Sequence, residues 1–146
     1  METTSTITIN RPVDDVFSYA SDINRLPAWM TGVTAARMLS DTKEKGARFV
    51  ATYLVARRPV DFEFKITRWD PKKVFGFATA KGPMKFKGRL EFRGKNGSTE
   101  VTSVIESGPD SLATRLLFTI ARPLYKRLTR HLLKRELEAL KVAVDS

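Results

Sequence analysis

Five polar residues, Tyr53, Arg68, Thr79, Thr99 and Ser103, fall on the apolar side of an alternating strand pattern. Any chemistry inside this chain has to start from them. Arg68 is the one cation of the set. A guanidinium beside an apolar pocket could hold a carboxylate, a phosphate or an enolate. Its place at a strand end, next to the turn WDPKK, also lets it reach solvent. General acid–base work calls for His or a buried carboxylate, and nucleophilic work calls for a base beside the nucleophile. The single His, His131, lies in a basic helical stretch and reads as solvated, and no acid falls on the inward side of the strands. The chain has no Cys, which excludes disulfides and thiolate metal sites. No metal-ligand spacing, phosphate-binding glycine loop or G-x-S-x-G occurs. Neither a catalytic residue nor a cofactor is therefore expected, and any catalysis would rest on Tyr53 and Arg68 alone.

These residues must be held by a meander. Thr3–Asn10 alternates β-branched residues and reads as a first strand. Pro12 then opens a short helix with Asp14 and Asp15 at its positive end. Val13, Phe17 and Ala20 share one face. Asp22 can cap a second short helix that Pro27 cuts off. Further strands are expected over residues 47–57, 60–69, 74–80, 84–92 and 98–106, separated by the turns RRPV, DPKK, KGPM and RGKNGS. Tight turns pair Tyr53 with Phe62, Arg68 with Phe75, Ile66 with Phe77, Phe77 with Gly88, and Leu90 with Val101. Paired residues share a face. One face then collects Phe49, Tyr53, Phe62, Phe64, Phe75, Phe77, Phe86, Leu90, Phe92, Val101 and Ile105. The other collects Asp61, Glu63, Lys65, Lys85, Lys87, Arg89, Glu91, Glu100 and Glu106.

The apolar face needs a cover. One remaining segment is long enough: a helix capped by Asp110 that runs to about Val144, kinked or restarted at Pro123. Leu117, Ile120, Leu124, Leu128, Leu132 and Leu140 recur along it at helical spacing. Gly88 removes a side chain from the middle of the inward face, which reads either as space for a ligand or as a bulge or tight bend. Trp29 falls where the two short helices meet the rim of the sheet. There it either guards an entrance or seals the core.

The 146 residues suit one domain, able to bury roughly 70% of its unfolded surface. With 42% hydrophobic residues and nine Phe the chain reads as globular. No apolar run approaches the ~20 residues that span a bilayer, and METTSTITIN lacks the basic start and apolar run of a signal peptide. The default location is the cytosol, with a peripheral membrane position open. The net charge of +10 attracts anions or simply keeps the chain in solution. Arg122, Lys126, Arg130 and Lys134 form one stripe four residues apart, beside Arg127. A basic amphipathic helix suits an anionic membrane surface. Nucleic acid is disfavoured, because the stripe has no interleaved aromatics and no reading motif is present.

The segments INRPVDDVFSYASDINRLPAW, WDPKK, GRLEF, GSTEVTSVIE and LKRELEALK, in this order, resemble the START-like, or Bet v 1-like, helix-grip superfamily, and within it the small bacterial polyketide cyclase/dehydrase-type (SRPBCC) proteins. The resemblance implies an α+β fold in which a seven-stranded antiparallel sheet wraps a long C-terminal helix, with two short helices after the first strand. It also implies a cavity between sheet and helix. Members carry lipids and sterols, perceive hormones, bind quinones or cyclise polyketides. They share a pocket rather than a catalytic motif, so no catalytic residue carries over. The expected lining is Trp29, Phe49, Tyr53, Phe62, Phe64, Arg68, Phe75, Phe77, Thr79, Phe86, Gly88, Leu90, Val101 and Ser103, with Leu117, Ile120, Leu124 and Leu128 from the helix. The leading expectation is a binder or carrier of a hydrophobic small molecule, lipid-like or polycyclic. The alternatives are a cyclase/aromatase or dehydratase, and a regulatory or membrane-docking protein that uses the basic helix. The oligomeric state is not legible.

Overall fold

The computed structural model describes residues 2–82, 85–107 and 112–145, and within these every side chain except those of residues 55, 107, 112–126 and 129. Strand β1 (Glu2–Ile9) leads into helix α1 (Val13–Ala20), a 3-10 turn (Ile23–Arg25) and the single-turn helix α2 (Leu26–Trp29). Six strands follow: β2 (Val33–Met38), β3 (Arg48–Val55), β4 (Arg58–Asp70), β5 (Val74–Lys81), β6 (Phe86–Lys95) and β7 (Ser98–Ser107). Helix α3 (Leu112–Asp145) closes the order. All seven strands form one antiparallel sheet in the order β1-β7-β6-β5-β4-β3-β2. This is the helix-grip arrangement expected from the sequence, with the two short helices in place.

Local chemistry explains the short elements. Pro12 is the N-cap of α1, and Asp14 and Asp15 occupy the first turn. Asp22 accepts a hydrogen bond from the Asn24 amide at 3.2 Å and starts the 3-10 turn. Pro27 does not end a helix. It sits in the first turn of α2, where its missing N–H is not needed. Likewise α3 runs through Pro123 as one helix of 34 residues, about 51 Å long. The expected cap, Asp110, lies outside the described residues.

Three hairpins depart from the expected pairing. The β3–β4 turn is Ala56–Arg57, with φ of 51° and 67°, so Tyr53 faces Val60, and Phe62 faces Ala51. The β6–β7 turn is Asn96–Gly97, with φ of 48° and 84°, so Leu90 faces Ser103. Both are slips of two residues, and two residues restore the same face. The β4–β5 hairpin is different. Its loop holds three residues, closed by the Lys73 amide on the Asp70 carbonyl at 2.9 Å, with Lys72 at φ 65°. Asp70 therefore faces Val74, Trp69 faces Phe75 and Arg68 faces Gly76. A bulge between Ile66 and Arg68 then returns Ile66 to Phe77. Between bulge and loop the two faces of β4 are exchanged relative to expectation.

The core lies on the concave side. Phe49, Phe64 and Phe75 are fully buried, and their rings pack with Phe77 at centroid distances of 5.5 to 6.2 Å. A second cluster joins Phe17 of α1 to Trp69 and Phe92, each at 5.2 Å. Among the described side chains of α3, those buried against the core are Leu133, Leu137, Leu140 and Val144. Leu128 and Leu132, expected on that face, are 56% and 44% exposed. The inward stripe is thus rotated about the helix axis from the one that the spacing predicts. Among the described residues, only Leu140 belongs to both.

Candidate functional site

A cleft opens between the concave face of the sheet and the helices that cover it. Leu26, Trp29 and Met30 bound it on one side. Phe49, Ala51 and Tyr53 of β3, Phe64 of β4, Phe75 and Phe77 of β5, Leu90 of β6, and Ser103 and Ile105 of β7 form its wall, and Glu136 of α3 closes it. Arg89 of β6 also borders the cleft, and its Nε donates to Glu91 at 3.3 Å. The empty space between these atoms amounts to about 480 Å³, counting the part open to solvent, but only about 20 Å³ can take the centre of a water molecule. That is room for about one water.

Of the expected lining, Trp29, Phe49, Tyr53, Phe64, Phe75, Phe77, Leu90 and Ser103 are in place. Others are not part of this wall. Phe62 and Val101 are buried in the core beside it, and Phe86 packs on Phe62 at 5.7 Å. Thr79 spends its hydroxyl on the Phe86 backbone, accepting from the amide at 2.9 Å and donating to the carbonyl at 3.3 Å. Thr99 donates to the Arg11 carbonyl at 2.8 Å and so ties β7 to the start of α1.

Three expectations are overturned. Arg68 points to the convex side, where it donates to Asp70 at 2.7 Å with its side chain more than half exposed. The one-residue shift of its hairpin turns it out. Gly88 leaves no ligand space, and its pairing is regular on both sides. A Cβ there would meet Ile105 at 2.8 Å and Phe77 at 3.0 Å, so neighbouring side chains already fill the gap. Leu128 is exposed and is not among the residues that line this cleft. Leu117, Ile120 and Leu124, with Arg122 and Lys126 of the basic stripe, lie outside the described side chains. Arg127, Arg130 and Lys134 are exposed as expected.

Glu136 is the functional residue that the sequence reading missed. It follows from choosing Leu133, Leu137, Leu140 and Val144 as the inward stripe, because Glu136 then sits on the edge of that stripe. Its carboxylate accepts a hydrogen bond at 3.1 Å from the amide of Thr31, in the turn between α2 and β2. Burial pushes its pKa up to about 7, and the Thr31 N–H partly offsets that rise by favouring the charged form. Tyr53 shares the cleft. Burial raises its pKa well above the usual phenol value, and the Glu136 charge adds to this, so the phenol stays protonated. The indole N–H of Trp29 is buried and has no acceptor among the described residues. An unpaired buried donor costs about 1–3 kcal/mol. The residues that line the cleft thus include a carboxyl held near neutrality, a phenol and an indole whose donor is unpaired.

Residues 1–145 match the family described as polyketide cyclase / dehydrase and lipid transport. The chain belongs to that family. Among curated proteins none matches it significantly. Among solved structures, a protein of Thermus thermophilus superposes with a TM-score of 0.79 at 16% identity, over 99% of this chain and 97% of that one. A START superfamily protein of Mycobacterium smegmatis gives 0.77 at 14% identity, over 99% and 97%. The Zhui aromatase/cyclase of Streptomyces sp. R1128 gives 0.73 at 13% identity, over 99% and 93%. At these identities the likeness is one of fold. Among the described residues no helix of this family member is long and apolar enough to cross a membrane.

Proposed function

We propose that this protein binds a hydrophobic small molecule, polycyclic or lipid-like, whose polar group is a neutral hydrogen-bond donor such as a hydroxyl. The observation that carries this reading is that Glu136, Tyr53, which feels its charge, and Trp29, whose buried indole N–H has no partner, line one largely apolar cleft. Small-molecule sites have this composition, an apolar wall with a few polar groups that fix orientation. A donor on the ligand would meet the Glu136 carboxylate, and an acceptor lone pair on the same group would meet the Trp29 indole. A carboxylate ligand would bring a second negative charge to Glu136, and Arg89, the cation among the residues that line the cleft, is paired with Glu91.

The cleft is too narrow for such a ligand until it widens. The Thr31–Glu136 hydrogen bond joins the α2–β2 turn to α3 across the cleft. A ligand that takes over Glu136 would release that turn, so entry and opening are coupled in this reading. Titration of the purified protein with naphthalene, 2-naphthol and 2-naphthoate at pH 8 tests it. The naphthol should bind at least tenfold tighter than naphthalene, and the naphthoate weakest. Equal affinities, or preference for the naphthoate, would refute it.

A second reading, cyclisation or dehydration of a polyketide-like substrate, is favoured by Glu136 alone. A carboxyl that titrates near neutrality can both take and return a proton. Turnover of a poly-β-keto thioester that survives Glu136→Gln undiminished would remove this reading.

A further inference from the structure

Helix α3 presents a second surface that the cleft does not use. Leu128, Leu132 and Val142 are exposed, the last at 70%. With Arg135 and Ala139 they follow one another at intervals of four, three, four and three residues, which places them along a single face. Exposed Arg127, Arg130, His131, Lys134 and Arg135 surround the two leucines. From Ser111 to Arg135 the sequence contains seven Lys and Arg and no acid. The first acids after it are Glu136, turned into the cleft, and the exposed Glu138.

We infer that this face of α3 docks on an anionic lipid surface, with Leu128 and Leu132 entering the headgroup boundary and the surrounding cations resting on lipid phosphates. The occupant follows from charge and apolarity together. A second copy of the chain would set this cationic stripe, on a body of net charge +10, against itself. Nucleic acid would satisfy the cations but leave two leucines facing a phosphate backbone. From Arg127 to Arg135 the sequence also offers no aromatic ring beyond His131 for a base to stack on. An anionic bilayer meets both demands, since apolar side chains and cations on one helix are what hold a helix in the interface plane. The inference does not rest on the ligand reading of the cleft.

The absence of Cys allows a direct test. Leu132→Cys and, separately, Leu39→Cys give single labelling sites for an environment-sensitive dye. Leu39 is also exposed, just past the end of β2 that lies away from Thr31 and its contact with α3. With vesicles of equal parts phosphatidylglycerol and phosphatidylcholine, the dye at position 132 should shift to the blue, and the dye at position 39 should not. Vesicles of phosphatidylcholine alone should bind much more weakly. Raising salt from about 0.1 M to about 1 M shortens the reach of charge from ~10 Å to ~3 Å and should reduce binding at least tenfold. Replacing Arg127, Arg130 and Lys134 by Gln, which keeps good helix formers in place, should weaken binding on the order of a hundredfold, about fivefold per cation. Four results would overturn the inference: no shift at position 132, an equal shift at position 39, a shift produced by a short DNA duplex instead of vesicles, or a shift that grows with protein concentration alone.

Discussion

Replacing Glu136 by Gln separates titration from hydrogen bonding. Gln retains an oxygen that can accept from the Thr31 amide and is nearly the same shape, but it carries no charge at any pH. In the wild-type protein burial raises the carboxyl from its ordinary 4.5 to about 7. A carboxyl raised in the folded state contributes most to stability below about 4.5, and that contribution disappears as the pH rises through about 7. The upper bound of the change is about 3 kcal/mol. The side chain is only partly buried, and solvent screening brings the figure down to about 1–2 kcal/mol. The two proteins should therefore be close in stability at pH 5, and at pH 8 the variant should be the more stable by about 1–2 kcal/mol. For a chain of this size that is about 3–6 °C in Tm. Thermal and urea unfolding of both proteins, at both pH values, measures it. Every other titrating group is common to the pair and cancels in the difference. A variant that loses the same stability at pH 5 and pH 8 would show that the carboxyl is not held near neutrality, and would take with it the account of Glu136 as the polar centre of the cleft.

Other substitutions test the fold that positions this cleft. Gly88→Ala should cost about 1–3 kcal/mol in urea unfolding, because its methyl would crowd Ile105 and Phe77 in a packed interior; an unchanged midpoint would contradict that close approach. Replacing Ala56–Arg57 by Asn–Gly should stabilise by about 1–2 kcal/mol, since both residues now hold positive φ and Asn–Gly is the pair that suits such a hairpin; a loss of stability would mean the turn lies elsewhere. Arg68→Ala should leave stability within about 0.5 kcal/mol and naphthol affinity unchanged, as its ion pair with Asp70 is a surface one. A fall in naphthol affinity would return Arg68 to the cleft.

The architecture is legible because its strongest signal, alternation of faces, survives errors of an even number of residues. Turn positions read from the sequence misplace the pairing of β3 with β4 and of β6 with β7 by two, yet Tyr53, Phe62, Phe64, Leu90 and Ser103 stay on the correct side. Strand β2 carries little of this signal. Its residues VTAARM do not alternate clearly, so only the family resemblance supplies a seventh strand. Arg68 fails for the complementary reason. A three-residue loop is an odd displacement, and odd displacements invert a face until a bulge corrects them. The sequence holds a trace of that bulge. Gly76 faces Arg68, and a Cβ on it would lie 2.9 Å from the Thr67 hydroxyl, so the glycine makes room for the extra residue. The helix offers no comparable correction. LTRHLLKRELEALK holds two leucine stripes, one through Leu128 and Leu132 and one through Leu133, Leu137 and Leu140. Periodicity alone cannot choose between them.

These two errors, one on a strand and one on the helix, govern the chemistry assigned to the cleft. With Arg68 inward and Glu136 unplaced, the interior is cationic and suits an acid. With Arg68 on Asp70 and Glu136 inward, the same apolar wall carries an acceptor near neutrality, which is why the proposed ligand is an alcohol. The helix error also joins the two surfaces of α3. Turning Leu133 and Leu137 inward brings Glu136 to the cleft and leaves Leu128 and Leu132 in solvent. One choice of helix face therefore creates both the polar end of the cavity and the apolar patch among the cations. In the readings proposed above the two features are neighbours on a single helix, with Glu136 one turn beyond Leu132.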